Sequence, residues 1–267
     1  MIQELLEHFG FKSFPFGKDV AELFDYPQFA EIRHILEVAL PDRSMTLVTG
    51  QAGVGKTTGV RSFVDTLPSN VYTVIYLGYD QQGATLLRRL CIQLGLKPKQ
   101  YRSQLFLQIG QFLEENILES GKSIFLIVDE CHLLDLATLE DLRLLTNTDF
   151  DRSSPLAITF VGQLSFRRQL KAPGYEAISQ RIRFRYALEG LSLEETIAYI
   201  KHRLTSAGGQ DDIFLPDALK SIFASSGGIP REINNLCSAA LLKAHAIGAK
   251  KVDAKLVKLI LDMREVN

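Results

Sequence analysis

Cysteine is scarce in this 267-residue chain: Cys91, Cys131 and Cys237 lie far apart and form no C-x-x-C. That pattern argues against a disulfide framework and against structural zinc, and it suits a reducing compartment. Net charge is equally slight. Lys and Arg number 30 against 31 Asp and Glu, a formal -1, so no global field points to nucleic acid or to a membrane surface. No apolar run approaches the ~20 residues of a spanning helix. The N-terminal Met-Ile-Gln-Glu-Leu-Leu-Glu is acidic and lacks a signal-peptide pattern. The expectation is a cytoplasmic protein with no membrane span. One absence is local: from Gln81 to Leu113 there is no Asp or Glu, while Arg88, Arg89, Lys97, Lys99 and Arg102 all fall there.

What is present centres on Gly50-Gln51-Ala52-Gly53-Val54-Gly55-Lys56-Thr57, which fits the phosphate-cradling pattern G-x-x-x-x-G-K-[ST]. Met45 to Thr49 reads as a buried strand before it. Val60, Phe63, Val64 and Leu67 give a helical spacing after it. In that context backbone N–H groups turn inward at phosphate oxygens and the helix N-terminus adds its positive end. Lys56 is assigned to the β- and γ-phosphates and the Thr57 hydroxyl to Mg2+; Thr58 completes the nucleotide-binding set.

Strands are expected at 71–77, 124–128, 157–161 and 182–188, with helices between them at about 84–94, 103–120 (capped by Gly121), 138–147 and 164–170. That alternation predicts an α/β fold with a parallel sheet covered on both faces. From Gly190 the pattern is helical throughout, which predicts a small all-α second domain. The expected boundaries are 1–44 for an N-terminal arm and helix packing on the core, 45–189 for the nucleotide-binding domain and 190–267 for the helical lid. In the arm, Phe9, Phe11, Phe14 and Phe16 cluster around Pro15. Two roles are open to Phe16: an anchor that packs the arm, or a wall of the adenine pocket.

Asp129-Glu130 ends the apolar strand Ile124–Val128. Two acids there suit two tasks: Asp129 holds Mg2+ through water beside Thr57, and Glu130 orients and polarises the attacking water as general base. In a parallel sheet of order 5-1-4-3-2, the strand ending at Gln163 lies between the loop-bearing strand and the Asp129 strand. Gln163 is then placed to sense the γ-phosphate. Arg181, Arg183 and Arg185 stand at alternate positions at the entry to the last strand, where Arg181 or Arg183 either faces solvent or offsets transition-state charge in a neighbouring subunit. Arg231, opening a lid helix, is a candidate to reach the same nucleotide. Cys131-His132 has no partner at ligand spacing and is not read as a metal or nucleophile site.

These residues together resemble an AAA+ P-loop ATPase. The finer resemblance, to the ExeA/GspA-like group, is carried by Phe14-Pro15-Phe16, Val161-Gly162-Gln163, Gln180-Arg181-Ile182, Leu191 to Thr196 and Ser226 to Cys237. It implies ATP and Mg2+ as cofactors and a homo-oligomer, ring or helical filament, with an arginine finger supplied in trans. Secretion-type members continue into a transmembrane helix. Stand-alone members resemble the TnsC-, TniB-, IstB- and MuB-like ATPases of transposable elements. Those assemble on double-stranded DNA and recruit a DDE transposase. The expectation taken from the resemblance is a regulator of DNA transposition, with a cytoplasmic ATPase module of a GspA/ExeA-type secretion system as the alternative. On the transposition reading Lys97, Lys99 and Arg102 contact DNA phosphates; otherwise they are a solvated basic surface.

Overall fold

The computed structural model describes residues 2–17, 23–78, 85–119, 122–147 and 154–265, and the expected Gly121 cap lies outside them. Five strands form one sheet: β1 (Met45–Gly50), β2 (Tyr72–Leu77), β3 (Ser123–Val128), β4 (Leu156–Gly162) and β5 (Ile182–Leu188). Their order is β2-β3-β4-β1-β5 and every pairing is parallel. Apolar runs in the inner strands suit this arrangement, because an inner parallel strand buries both faces. Every residue of β1 and of β4 is buried, and Leu47, Leu126, Ile158 and Phe160 are fully enclosed.

Around the sheet stand α2 (Pro27–Ala39), α3 (Lys56–Val64), α4 (Leu86–Gln93), α5 (Arg102–Glu119), α6 (Leu136–Leu145), α7 (Leu164–Gln169) and α8 (Glu176–Arg181). Local chemistry sets several ends. Thr85 caps α4 through Arg88 N–H, and the Asp135 carboxylate accepts from Thr138 N–H at 2.8 Å to start α6. Residues 27–52 and 56–188 make up this unit.

The second compact unit comprises residues 1–26, 53–55 and 189–267. It contains α1 (Ile2–Phe9), α9 (Leu193–Ser206), α10 (Pro216–Ser226), α11 (Pro230–Ala246) and α12 (Ala254–Glu265). The arm therefore groups with the late helices, whereas α2 groups with the sheet. Ser192 and Glu195 close a capping box at the start of α9. The arm is held by Arg203, whose guanidinium donates to the Pro15 and Gly17 carbonyls at 2.7 Å each and lies over the rings of Phe16 and Tyr199. Two short stretches of backbone also meet here. Leu191 N–H donates to the Gly228 carbonyl at 2.8 Å, and Gly228 has φ +72°.

All three cysteines are free and buried, and burial pushes each thiol pKa upward. Among the described residues no helix is long and apolar enough to cross a membrane.

Candidate functional site

Parallel strands bring their C-terminal ends to one edge, and the sequence-derived residues of the sheet unit gather there. β1 ends at Gly50. Gln51 and Ala52 are exposed, and α3 begins at Lys56, which is nine-tenths buried. The Lys56 ammonium donates to the Gly50 and Gln51 carbonyls at 3.1 and 2.9 Å. Thr57 and Thr58 are exposed in the first turn. The Thr57 hydroxyl donates to Asp129 Oδ2 at 2.7 Å.

Asp129 is buried just past β3, with its backbone N–H on the Leu77 carbonyl at 2.9 Å. Glu130 follows in left-handed conformation, φ 53°, and its N–H donates to Asp129 Oδ1 at 2.8 Å. A left-handed non-glycine residue costs of order 1 kcal/mol or more and is concentrated at functional sites. Here it turns the Glu130 carboxylate to the surface as the chain enters a short 3-10 turn, Cys131–Leu133.

Gln163 caps α7 from an exposed position beyond β4, between the strands that end at Gly50 and Asp129. Its backbone N–H faces His132 Nδ1 at 3.4 Å, and that same nitrogen stands 3.5 Å from Glu130 Oε2. His132 thus links the end of β3 to the end of β4. The buried Cys131 thiol is pushed well up by desolvation, with Asp129 and Glu130 adding to the effect, so it stays protonated and is no nucleophile.

In the helical unit, residues 53–55 form the crown of the glycine loop, with φ +82° at Gly53 and +102° at Gly55. A side chain at Gly53 would place Cβ 2.6 Å from Arg231 Cβ, so only glycine lets the Arg231 stem lie there. Arg231 N–H donates to the Gly53 carbonyl at 3.2 Å, and the Tyr26 hydroxyl donates to the Val54 carbonyl at 3.3 Å. Arg231 is the second residue of α11 and is exposed.

Other expected residues stand elsewhere. Arg181 is the last residue of α8, so only Arg183 and Arg185 keep strand spacing in β5. Arg183 is ion-paired with Asp42. Phe16 is 6% exposed and edge-on to Phe214 at 6.2 Å, so its ring is engaged in packing. Lys97 and Lys99 are exposed between α4 and α5, on a loop tied down by Gln108. Arg102 pairs with Asp141 at 2.8 Å.

Two further residues touch the acids: His132, set aside in the sequence as a metal or nucleophile candidate, and Tyr76, missed by sequence reasoning, whose hydroxyl donates to Asp129 Oδ2 at 2.7 Å. Burial, then the hydrogen bond to Asp129, push the Tyr76 hydroxyl pKa upward, so it remains a donor.

The donor set fits a magnesium nucleotide. Hydroxyl and carboxylate oxygens are the hard ligands Mg2+ takes, and that ion relies on phosphates and water for most of its shell. Among the described residues no group of three or more His, Cys, Asp and Glu could hold a metal ion.

Strand, glycine loop, helix and paired acids on a sheet of this order define an AAA+ P-loop fold. Residues 40–170 match the AAA domain family. Over 208 residues the chain is 36% identical to general secretion pathway protein A of Aeromonas hydrophila, covering 77% of this chain and 38% of that protein. The chain thus spans well under half the length of that relative. Two solved structures show the same fold. The ORC2 protein of Aeropyrum pernix in ADPNP–ADP complexes has a TM-score of 0.66 at 18% identity, over 94% of this chain and 71% of that one. Drosophila ORC bound to DNA gives 0.68 at 17%, over 97% and 65%.

Proposed function

We propose that this chain is an ATP-binding and ATP-hydrolysing AAA+ module of the kind present in general secretion pathway protein A. The observation that carries the reading is the Thr57–Asp129 hydrogen bond of 2.7 Å directly after Lys56 in a complete glycine loop. The 36% identity to the secretion-pathway protein supports this setting.

The residues divide the work. The amides of Gly53 to Thr57 and the N-terminus of α3 receive phosphate oxygens. The Lys56 ammonium exchanges its two carbonyl partners for those oxygens. The Thr57 hydroxyl and, through water, the Asp129 carboxylate would hold Mg2+, which would supply charge neutralisation of the phosphates. Glu130 accepts a proton from the attacking water. Gln163 orients towards the terminal phosphate, and Arg231, whose N–H donates to the Gly53 carbonyl of the glycine loop, is assigned to the nucleotide.

The test is nucleotide binding and phosphate release by the purified chain with Mg2+. Lys56→Ala removes a charged donor, and the loss of a charge-assisted hydrogen bond weakens ATP binding roughly 10- to 100-fold. Equal ATP affinity in wild type and variant would remove Lys56 from the site.

A second reading, a DNA-engaging regulator that works with a transposase, keeps one observation in its favour. The loop with Lys97 and Lys99 is exposed and Tyr101, at 62% exposure, stands beside them. A homo-oligomer with Arg181 offered across the subunit boundary belongs to this reading. Electron microscopy with ATP and duplex DNA decides it: filaments or rings in the wild type and none in Arg181→Ala support it, while no assembly on DNA eliminates it.

A further inference from the structure

We propose that Tyr76 is a positioning residue for the divalent cation, acting through the Asp129 carboxylate. This deepens, and rests on, the magnesium-nucleotide reading of the site. Register places the residue. β2 and β3 run parallel with Tyr76 opposite Ile127 and Leu77 opposite Val128. The Asp129 N–H bond to the Leu77 carbonyl extends the ladder one residue past β3. Side chains alternate along a strand, so Tyr76, Ile127 and Asp129 share a face. The phenol spans the diagonal to Asp129.

Asp129 then carries three donors from three parts of the chain. The Thr57 and Tyr76 hydroxyls each donate to Oδ2 at 2.7 Å, and Glu130 N–H donates to Oδ1 at 2.8 Å. A carboxylate offers about four acceptor positions, so among the described residues one remains, on Oδ1. The carboxyl torsion of aspartate is broad and soft when left alone. Thr57 and Tyr76 pull on one oxygen from two directions and fix it. Mg2+ demands near-ideal octahedral geometry and keeps several of its waters. An acceptor for such a water must therefore be oriented in advance, and groups behind a ligand do this.

Among the described residues Asp129 is the hydrogen-bond partner of the Tyr76 hydroxyl. Half exposed, the ring lines a cavity of about 360 Å³ together with Val60, Val64, Val74, Ile127 and Val161. Tyr76→Phe removes the hydroxyl and leaves this wall intact. Val74→Ala alters the same wall without touching Asp129.

The experiment is binding of a fluorescent ATP analogue across a Mg2+ titration and in EDTA, for the wild-type chain and both variants. The expected result is a half-saturating Mg2+ concentration about tenfold higher in Tyr76→Phe, the low end for loss of a group behind a metal ligand. Affinity in EDTA is unchanged, and Val74→Ala matches wild type. A wild-type Mg2+ curve in Tyr76→Phe overturns the proposal and leaves the nucleotide reading standing. So does an equal shift in Val74→Ala, which assigns the effect to the cavity wall. A wild-type chain that binds no analogue overturns the nucleotide reading itself, and this proposal with it.

Discussion

Glu130→Gln lowers the rate of ATP hydrolysis by about 10³-fold and leaves ATP affinity within about a factor of two, in line with the size of general-base contributions. The substitution keeps shape and hydrogen-bonding reach and removes the basic oxygen. Binding survives because the residues assigned to phosphate and metal, Lys56, Thr57 and Asp129, are untouched. The left-handed backbone at Glu130 also survives, since glutamine meets the same steric limits there. Single-turnover phosphate release with saturating nucleotide reads this directly. Equal turnover in both proteins would assign water activation to another group. His132, 3.5 Å from the Glu130 carboxylate and facing Gln163 N–H, is the neighbour to examine next.

The second large effect is on stability. Gly228→Ala destabilises the helical unit by about 3–5 kcal/mol, whereas Gly227→Ala costs about 1 kcal/mol. Both glycines have positive φ, +58° at Gly227 and +72° at Gly228. Both substitutions therefore carry the left-handed penalty of roughly 1–2 kcal/mol. They differ in space. A Cβ at Gly227 meets nothing within 4 Å, while one at Gly228 falls 2.0 Å from the Leu191 carbonyl oxygen and 2.8 Å from Leu191 N. Those are backbone atoms and cannot swing aside. Relief requires parting the two chain segments and losing the Leu191–Gly228 hydrogen bond. Urea denaturation followed by circular dichroism compares the pair; equal losses would show that conformation alone, and no clash, sets the requirement. Residue 228 stands three positions before Arg231. A shifted 228 thus moves the start of α11 and the arginine that lies on Gly53.

Much of this was legible in the chain itself. The inner strands β3 and β4 announce themselves as apolar runs because a parallel sheet buries both faces, while the edge strand β5 is marked by alternation and falls at the expected 182–188. The glycine loop and Asp129-Glu130 are legible as a motif of few permitted residue types, and the structure brings Thr57 and Asp129 within hydrogen-bond reach. Short helices were harder. α1 and α8, of eight and six residues, fall outside the expected helices, whereas α7, also of six, lies within the expected 164–170; helices this short depend on tertiary packing. α1 shows its reason only in three dimensions, where Leu5 and Phe9 are buried. The same limit applies to Arg181. Alternate spacing suggested one strand face for Arg181, Arg183 and Arg185, but α8 runs through Arg181. Tyr76 was invisible for a different cause. Its role depends on the pairing of β2 with β3, and a strand sequence does not encode its partner's register.

The buried cysteines make the chain an unusually clean subject for site-directed labelling. Cys91, Cys131 and Cys237 are enclosed, with thiols held in the unreactive protonated form. A maleimide dye or a crosslinker therefore reacts at a cysteine introduced on the surface, with no need to remove the native three. Placed at Tyr101, such a probe reports whether duplex DNA approaches the loop of Lys97 and Lys99.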